Sequence, residues 1–325
     1  MTEMAHGFFV IDKPEGLTSH DVVQAVRSHL KIRGVGHLGT LDPMATGVLP
    51  LALGKATRLI QFLTVGLKIY QGTIRLGFST DTYDKEGQAT SAPVVPDFSP
   101  QQLLEVGQQM LGEQFQVPPP YSAKKVGGIR SYHLARQGIE VTLAARRVHI
   151  AQLKFVQRQA NEVDFEIHCS AGTYIRSIAH ELGKKLACGA HLTRLRRITA
   201  GEFYLDRAIT LDSFITSSWT ELSKHFISVN AVLRALPELE VDAAIQISLN
   251  HGNDFGIRTR YLQIKPETLF RMVSPSGELL GLAVPLSPLP AQELNDNPQT
   301  YFHPKLVLQG SCATYEPFRT THPVP

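Results

Sequence analysis

Cysteine is scarce in this chain, with three in 325 residues. Cys169, Cys188 and Cys312 are an odd number, and no two are spaced as Cys-x-x-Cys, which argues against a disulfide framework and against the usual zinc or thiol-redox motifs. They read as reduced, buried thiols of a cytosolic chain. Long apolar runs are missing as well: nowhere do about 18 uncharged apolar residues follow one another. The first residues, MTEMAHGFFVIDKPEG, have no basic stretch ahead of a long apolar one, so neither a membrane span nor an export signal is expected. Nor is either charge in large excess, since 32 Lys and Arg stand against 29 Asp and Glu. With 43% hydrophobic and 19% charged residues, the composition is that of an ordinary globular protein. Its length suits about two domains of roughly 150 residues.

The small net charge hides an uneven distribution. Residues 121–200 carry 14 Lys and Arg against 5 Asp and Glu, a net of +9, which leaves −6 for the rest of the formal +3. The pairs Lys124-Lys125, Arg146-Arg147 and Lys184-Lys185 and the run Arg194-x-Arg196-Arg197 make this a candidate polyanion surface.

Local patterns mix strands and helices. GFFVI (7–11) and IYQGTIRL (69–76) read as strands, and EVDFEIHCS alternates Val163, Phe165, Ile167 and Cys169 with polar residues, as a strand with one wet face does. Thr18-x-x-Asp21 has capping-box spacing ahead of Val22, Val23, Val26 and Leu30. Ser99-Pro100 starts a helix with Leu103, Gly107, Met110 and Leu111 on one face. KATRLIQFL looks helical, and Ile175, Ile178, Ala179, Leu182 and Leu186 fit a further helix. Between the first helix and KATRLIQFL, residues 34–50 (GVGHLGTLDPMATGVLP) read as a shaped turn region. Without regular βαβ alternation, these elements predict an α+β domain on a mostly antiparallel sheet. Beyond RALPELEVD the chain is strand-like with turns such as SPSGELLG, which places a small β domain over 240–310 and a tail over 311–325.

Three motifs fail on inspection. Gly34-x-Gly36-x-x-Gly39 matches the dinucleotide fingerprint in letters, but a helix precedes it and Leu41-Asp42-Pro43 follows, where a strand and a helix are required. His180-Glu181 begins a zinc-protease motif whose second ligand would be Lys184, a cation. Asp81, Asp84 and Glu86 in STDTYDKEG lack EF-hand spacing and suit hydrogen bonds that brace a turn.

Asp42 has two readings. Asp before Pro is a common turn starter, yet His37 lies five residues upstream and glycines at 36, 39 and 47 permit close approach of backbone or ligand. An ordinary aspartate is almost wholly ionised at pH 7, which makes it a nucleophile rather than a general acid, and a fixed cation would keep it so in a desolvated cleft. Arg176 is the candidate cation. It lies about 100° round its helix from Ile175 and need not be buried by the hydrophobic face. Tyr70 shares a strand face with Ile74 and Leu76, so core packing remains an alternative for it, as for Tyr174.

GHLGTLDPMATGVLPL resembles the signature of the TruB family of tRNA pseudouridine synthases along its whole length. IDKPEGLTSHDVV, RLGFSTDTYDKEG, PPPYSAKKVGGIRSYHLARQGIEV, IHCSAGTYIRSIAHELG and CGAHLTRLRRI are similar to that family's other motifs, in the same order, over residues 7 to 210. The resemblance implies an α+β pseudouridine-synthase core over 1–239 with a mixed, mostly antiparallel sheet flanked by helices, then a small PUA-like RNA-binding domain over 240–310. By the same resemblance Asp42 is the catalytic nucleophile, Tyr70 stacks on the flipped uracil, and Arg176 pairs with the catalytic carboxylate. His37, Tyr174 and Leu195 line the nucleotide pocket, and Lys13 supports the active-site loop. Gly34 departs from the basic residue often found there in bacterial members. The implied reaction is the isomerisation of uridine 55 in the tRNA T loop by a cytoplasmic monomer, with tRNA as partner and no cofactor, metal or membrane. Part of the basic segment, from Lys124 to about Arg147, is expected to be a loop that orders on RNA. A non-catalytic RNA chaperone and a nucleotide-dependent oxidoreductase are the rival classes.

Overall fold

GFFVI lacks polar alternation because both faces of its strand are covered. The structure is a computed structural model that describes residues 6–64, 66–122, 125–131, 134, 137, 139, 143–159, 161–258, 265, 267–286 and 299–308. In chain order its first elements are β1 (Gly7–Lys13), α1 (Ser19–Leu30), β2 (Val35–His37), β3 (Thr46–Leu53), a 3-10 turn (Gly54–Leu59), α2 (Ile60–Leu63) and β4 (Lys68–Leu76). Next come α3 (Pro100–Gln109), β5 (Gly112–Gln116), the hairpin β6 (Lys125–Val126) and β7 (Ile129–Arg130), β8 (Arg146–Gln159), β9 (Glu162–Cys169) and α4 (Ile175–Lys185). Then follow β10 (Ala190–Ala200), β11 (Phe203–Tyr204), β12 (Ile209–Thr210) and β13 (Ile227–Ser228).

Among the described residues eleven strands form one mixed sheet, with the path β12-β1-β3-β10-β4-β9-β8-β5. Only β1 with β12 and β3 with β10 run parallel, so the sheet is mixed and mostly antiparallel, and the fold is α+β. Local signals explain its helices. Thr18 and Asp21 exchange backbone and side-chain bonds at the start of α1 (2.8 and 3.1 Å), and Ser99 and Gln102 do the same at α3 (2.7 and 3.1 Å). Gly107 lets α3 close on β8, since a β-carbon there would lie 2.8 Å from Phe155. Leu111 lies beyond the helix and is exposed, while Val106 takes the buried place.

Phe9, Ile11, Leu49 and Leu51 join one core beneath α1, α3 and α4, whereas Phe8, Val10, Val48 and Ala52 join another on the opposite face. That second core is completed by Val273, Leu279, Leu282, Leu306 and Leu308. All but Leu308, which follows the last strand, belong to a second, five-stranded sheet of β14 (Glu238–Glu240), β15 (Phe255–Arg258), β16 (Phe270–Val273), β17 (Leu279–Pro285) and β18 (Gln299–Val307), ordered β14-β16-β17-β18-β15. The C-terminal β unit thus covers the back of the main sheet. Its first strand in chain order, β14, pairs with β16. SPSGELLG is its β16–β17 turn, closed by Ser274 and Glu278 (2.8 Å). Residues 311–325, with Cys312, lie outside the described residues.

Residues 34–50 are not all turn. Val35–His37 pairs with Leu51–Leu53, and Thr46 already opens β3, which confines the loop to residues 38–45. The glycines obscured this in the sequence, since Gly36 and Gly47 sit within strands. Gly47 has φ +98° and lies against the backbone of Arg197 across the parallel β3–β10 pair; a β-carbon there would meet the Arg197 carbonyl oxygen at 2.2 Å.

Candidate active site

The 38–45 loop carries Asp42 and is braced from several elements. Ser19, the first residue of α1, donates from its hydroxyl to the Leu41 carbonyl (3.1 Å) and accepts from the Leu41 N–H (2.8 Å). The Gly16 N–H donates to Pro43 O (2.8 Å). Lys13, fully buried at the end of β1, donates from Nζ to the carbonyls of Pro14 (2.8 Å), Leu17 (2.6 Å) and Pro43 (3.1 Å). Burial lowers its pKa from 10.5 to about 8 against the opposing pull of Asp42, Glu15, Glu86 and Asp21. From β10 the buried Arg197 donates to Val48 O (2.7 Å), Gly39 O (3.0 Å) and Thr40 O (3.4 Å). Backbone carbonyls, held by two buried cations, thereby fix the loop in place.

Asp42 itself is met by Arg176 in a bidentate fork: Nε to Oδ2 at 2.8 Å and Nη2 to Oδ1 at 3.0 Å. Such forks fix orientation as well as charge. The rest of the guanidinium is also engaged, with Tyr121 O at 3.0 Å from Nη2, and Thr82 O at 3.1 Å and Asp84 Oδ2 at 3.5 Å from Nη1. Arg176 is therefore buried. The helix turns it away from the hydrophobic stripe and into the cleft. The Asp42 side chain keeps 34% of its exposure against 6% for Arg176, so the carboxylate is the member of the pair that faces outward.

Asp84 is a residue the sequence reading left to turn bracing. It does brace the turn, accepting from Thr82 Oγ1 (2.6 Å) and the Glu86 N–H (3.0 Å). Its other oxygen gives Arg176 a second carboxylate. The turn is pinned to β10 by Lys85 N to Leu192 O (2.9 Å) and Leu192 N to Tyr83 O (3.0 Å). Desolvation, then Asp84 and Asp42, raise the pKa of Glu86.

Of the other expected residues, Tyr70 and Tyr174 are reached by the charge of Asp42. Tyr70 is 6% exposed, belongs to the core beside Ile74 and Leu76, and faces Arg197; burial raises its pKa. Leu195 is likewise buried in that core. Half-buried His37 accepts from the Gly39 N–H (3.4 Å), and burial followed by Arg197 and His20 lowers its pKa. Tyr174 caps α4, with its backbone N–H and carbonyl held by Gln116 (2.7 and 3.1 Å). Burial raises its pKa, and the charges of Asp42, Arg176 and Arg146 all reach it.

The basic segment is less of a surface than its count suggests. Arg197 is internal, Arg176 answers Asp42, and Arg196 forks onto Asp12 (3.1 and 2.7 Å). Lys184 pairs with Glu181 (3.2 Å) and exposed Arg194 lies 3.5 Å from Asp164. Lys124 and Arg136 lie outside the described residues, as does most of the stretch between β7 and β8. Cys169 and Cys188 are free, buried thiols, Cys169 raised to about 11 by burial. Among the described residues no helix is long and apolar enough to cross a membrane, and no group of three or more His, Cys, Asp or Glu is placed to hold a metal ion.

An outward-facing carboxylate, held by a buried guanidinium on a loop braced from several elements, suits attack on an electrophilic carbon. Residues 27–175 match the family model for the TruB family pseudouridylate synthase N-terminal domain, and residues 176–236 match the tRNA pseudouridylate synthase B C-terminal domain. Relatives called tRNA pseudouridine synthase B include one from Solibacter usitatus, 41% identical over 93% of this chain and 99% of its own, and one from Clostridium acetobutylicum, 40% identical over 85% and 94%. Among solved structures, a chain of a Cbf5-Nop10-Gar1 complex is similar with TM-score 0.65 and 28% identity over 86% of this chain and 78% of its own. An H/ACA RNP bound to a substrate RNA has the same fold, with TM-score 0.68 and 24% identity over 93% of this chain and 85% of its own.

Proposed function

The chain belongs to the TruB family of pseudouridine synthases, and from that premise we propose that it converts uridine 55 in the T loop of tRNA to pseudouridine with Asp42 as the nucleophile. The observation that carries the reading is the bidentate Arg176–Asp42 fork. The bond from ribose C1′ to base N1 breaks, a bond from C1′ to C5 forms, and C5 gives up a proton while N1 gains one. The reaction is redox-neutral and draws on no group donor. Asp42 attacks the nucleotide so that the base can detach, rotate and rejoin. Arg176 keeps that carboxylate aimed through its bidentate fork.

Reaching Asp42 requires the uridine to leave its stack, at a cost of a few kcal/mol. Tyr70 offers an aromatic face worth about 1 to 3 kcal/mol once a base lies on it; the small residual exposure of that ring means the base must displace neighbours to reach it. His37, Tyr174 and Leu195 complete the pocket, and Lys13 supports the loop. We further assign residues 6–237 to the catalytic unit and the second sheet to RNA binding, in a cytoplasmic enzyme.

The test uses an unmodified T-arm hairpin, the purified protein and chemical derivatisation of pseudouridine. Asp42→Asn should abolish isomerisation, by about 10⁴-fold or more as for other lost nucleophiles, while hairpin binding survives. Full turnover by Asp42→Asn would refute the assignment, and RNA binding with no turnover by the wild type would favour a chaperone.

A further inference from the structure

A second group of charges lies against the loop that carries Asp42, at the start of β4. Lys68 lies two residues before Tyr70 and so on the same strand face. It is 9% exposed. The groups that face it are the guanidinium ions of Arg197 and Arg146 and the Cys169 thiol, and burial followed by Arg197 lowers its pKa from 10.5 to about 8. Gly39, with φ +129°, shows how tightly these groups converge: a β-carbon there would lie 3.3 Å from Lys68 Nζ and 3.6 Å from Arg197 Nη1. Arg197 already has the carbonyls of Val48, Thr40 and Gly39 as acceptors. Among the described residues no carboxylate answers Lys68.

Arg146 repeats the pattern at the start of β8. Its Nε is buried without a hydrogen-bond partner. Its guanidinium lies against Gly172, where φ is +83° and a β-carbon would come 2.1 Å from Nη2. The charge of Arg146 reaches both Lys68 and Tyr174. Two glycines in the left-handed region thus keep side chains out of the space before two incompletely answered cations. Buried charges without counter-ions are costly, and a fold that keeps them gains most when a ligand brings the missing charge.

We propose that Lys68 and Arg146 form an anion site that takes a backbone phosphate of the RNA beside the extruded nucleotide. The site rests on the functional reading above and adds to it a specific contact. A nucleotide that reaches Asp42 carries a phosphate on each side. An ammonium supplies a point charge and a guanidinium a planar fork, the two groups that bind phosphate most effectively. The phosphate would then anchor the backbone while the base between Asp42 and Tyr70 is free to turn.

Two T-arm hairpins test this, one natural and one with methylphosphonates flanking the target uridine. Each is titrated against wild type, Lys68→Met and Arg146→Met. Neutralising the phosphate should weaken wild-type binding about tenfold, the worth of one charged hydrogen bond, and should weaken either variant less than twofold. The salt slope of the variants on natural RNA should be shallower by about one. Equal losses from methylphosphonate in wild type and both variants would overturn the site. Lys68→Met keeps an unbranched apolar stem and removes a buried charge; thermal melting verifies its fold, and Arg146→Met carries the comparison should it fail to fold. A wild type that does not isomerise the natural hairpin would sink the functional reading instead. In that case inorganic phosphate must raise the melting temperature of wild type and not of Lys68→Met, or the site falls as well.

Discussion

At one end of the cleft every buried charge has its answer within the chain: Arg176 lies between Asp42 and Asp84 and also meets the carbonyls of Thr82 and Tyr121. At the other end the charges of Arg197 and Arg146 and the Cys169 thiol reach Lys68, and among the described residues no carboxylate answers it. Each end carries a largely desolvated cation, Arg176 at one and Lys68 at the other, yet the two suit opposite tasks. A fully paired guanidinium fixes the Asp42 carboxylate in place. Cations left without a partner hold a place for charge that arrives with the substrate. The difference separates residues that serve the chemistry from those that serve binding, and it can be tested one side chain at a time.

The largest effect is expected at the paired end. Arg176→Met leaves Asp42 and the buried Asp84 facing each other without a cation, a loss of about 3 kcal/mol of folding stability for a broken buried pair. Turnover of a T-arm hairpin should fall by roughly 10² to 10³-fold, the range seen when a preorganised charged partner is removed, and affinity by less than tenfold. Single-turnover kinetics and binding titrations read the two separately. Equal losses in both would place Arg176 on the RNA and erase the contrast between the ends.

Asp84→Asn should come next. The amide keeps the bond from the Glu86 N–H and the shape of the turn but withdraws the second negative charge from Arg176. Asp42 then holds the guanidinium alone, and turnover should drop about tenfold, the scale of one charged hydrogen bond, with RNA affinity unchanged. Unaltered turnover would show that the first carboxylate suffices.

Much of this was legible in the sequence, and the limits are physical. The alternation in β9 announced its face because one side meets the core and the other meets water. The capping boxes at Thr18 and Ser99 are local and were readable as such. Asp42 and Arg176 stood out through their neighbours in the motifs. Asp84 did not, since its second oxygen works through a contact 92 residues away on α4, which no local pattern records. Arg197 looked like part of a phosphate-binding run, because a buried arginine and an exposed one are spelled alike. What distinguishes them is the set of carbonyls at 39, 40 and 48, which only the fold brings near. β1 was readable as a strand, but not that it is buried on both faces with the second sheet covering one of them.

A pH series sharpens the comparison through Lys13. Its pKa of about 8 lies below the unfolded value of 10.5. Below pH 8 both states hold the proton and its contribution is constant. Between pH 8 and 10.5 only the unfolded chain does, so from this group stability rises with pH across that window. Activity should move the other way. A neutral amine donates two hydrogens where three carbonyls wait, so the Asp42 loop loosens and the single-turnover rate should decline severalfold above pH 8. A rate that stays flat to pH 9.5 would mean that the Lys13 charge does not hold the loop.

The smallest effect should come from the residue next to Arg146. Successive side chains on a strand point to opposite faces; Arg146 turns toward Gly172 and the cleft, while Arg147 is 72% exposed and already paired with exposed Glu113. Exposed ion pairs contribute little because water screens them and long side chains lose freedom in forming them. Arg147→Gln should therefore leave the melting temperature unchanged and alter hairpin affinity by less than about twofold. Arg146→Met, one position away and equal in formal charge, should cost several times more affinity and lose its sensitivity to the neutral backbone. Were Arg147 the more costly of the two, the phosphate would lie on the outer face of β8, and the division between an answered and an unanswered end of the cleft would have to be redrawn.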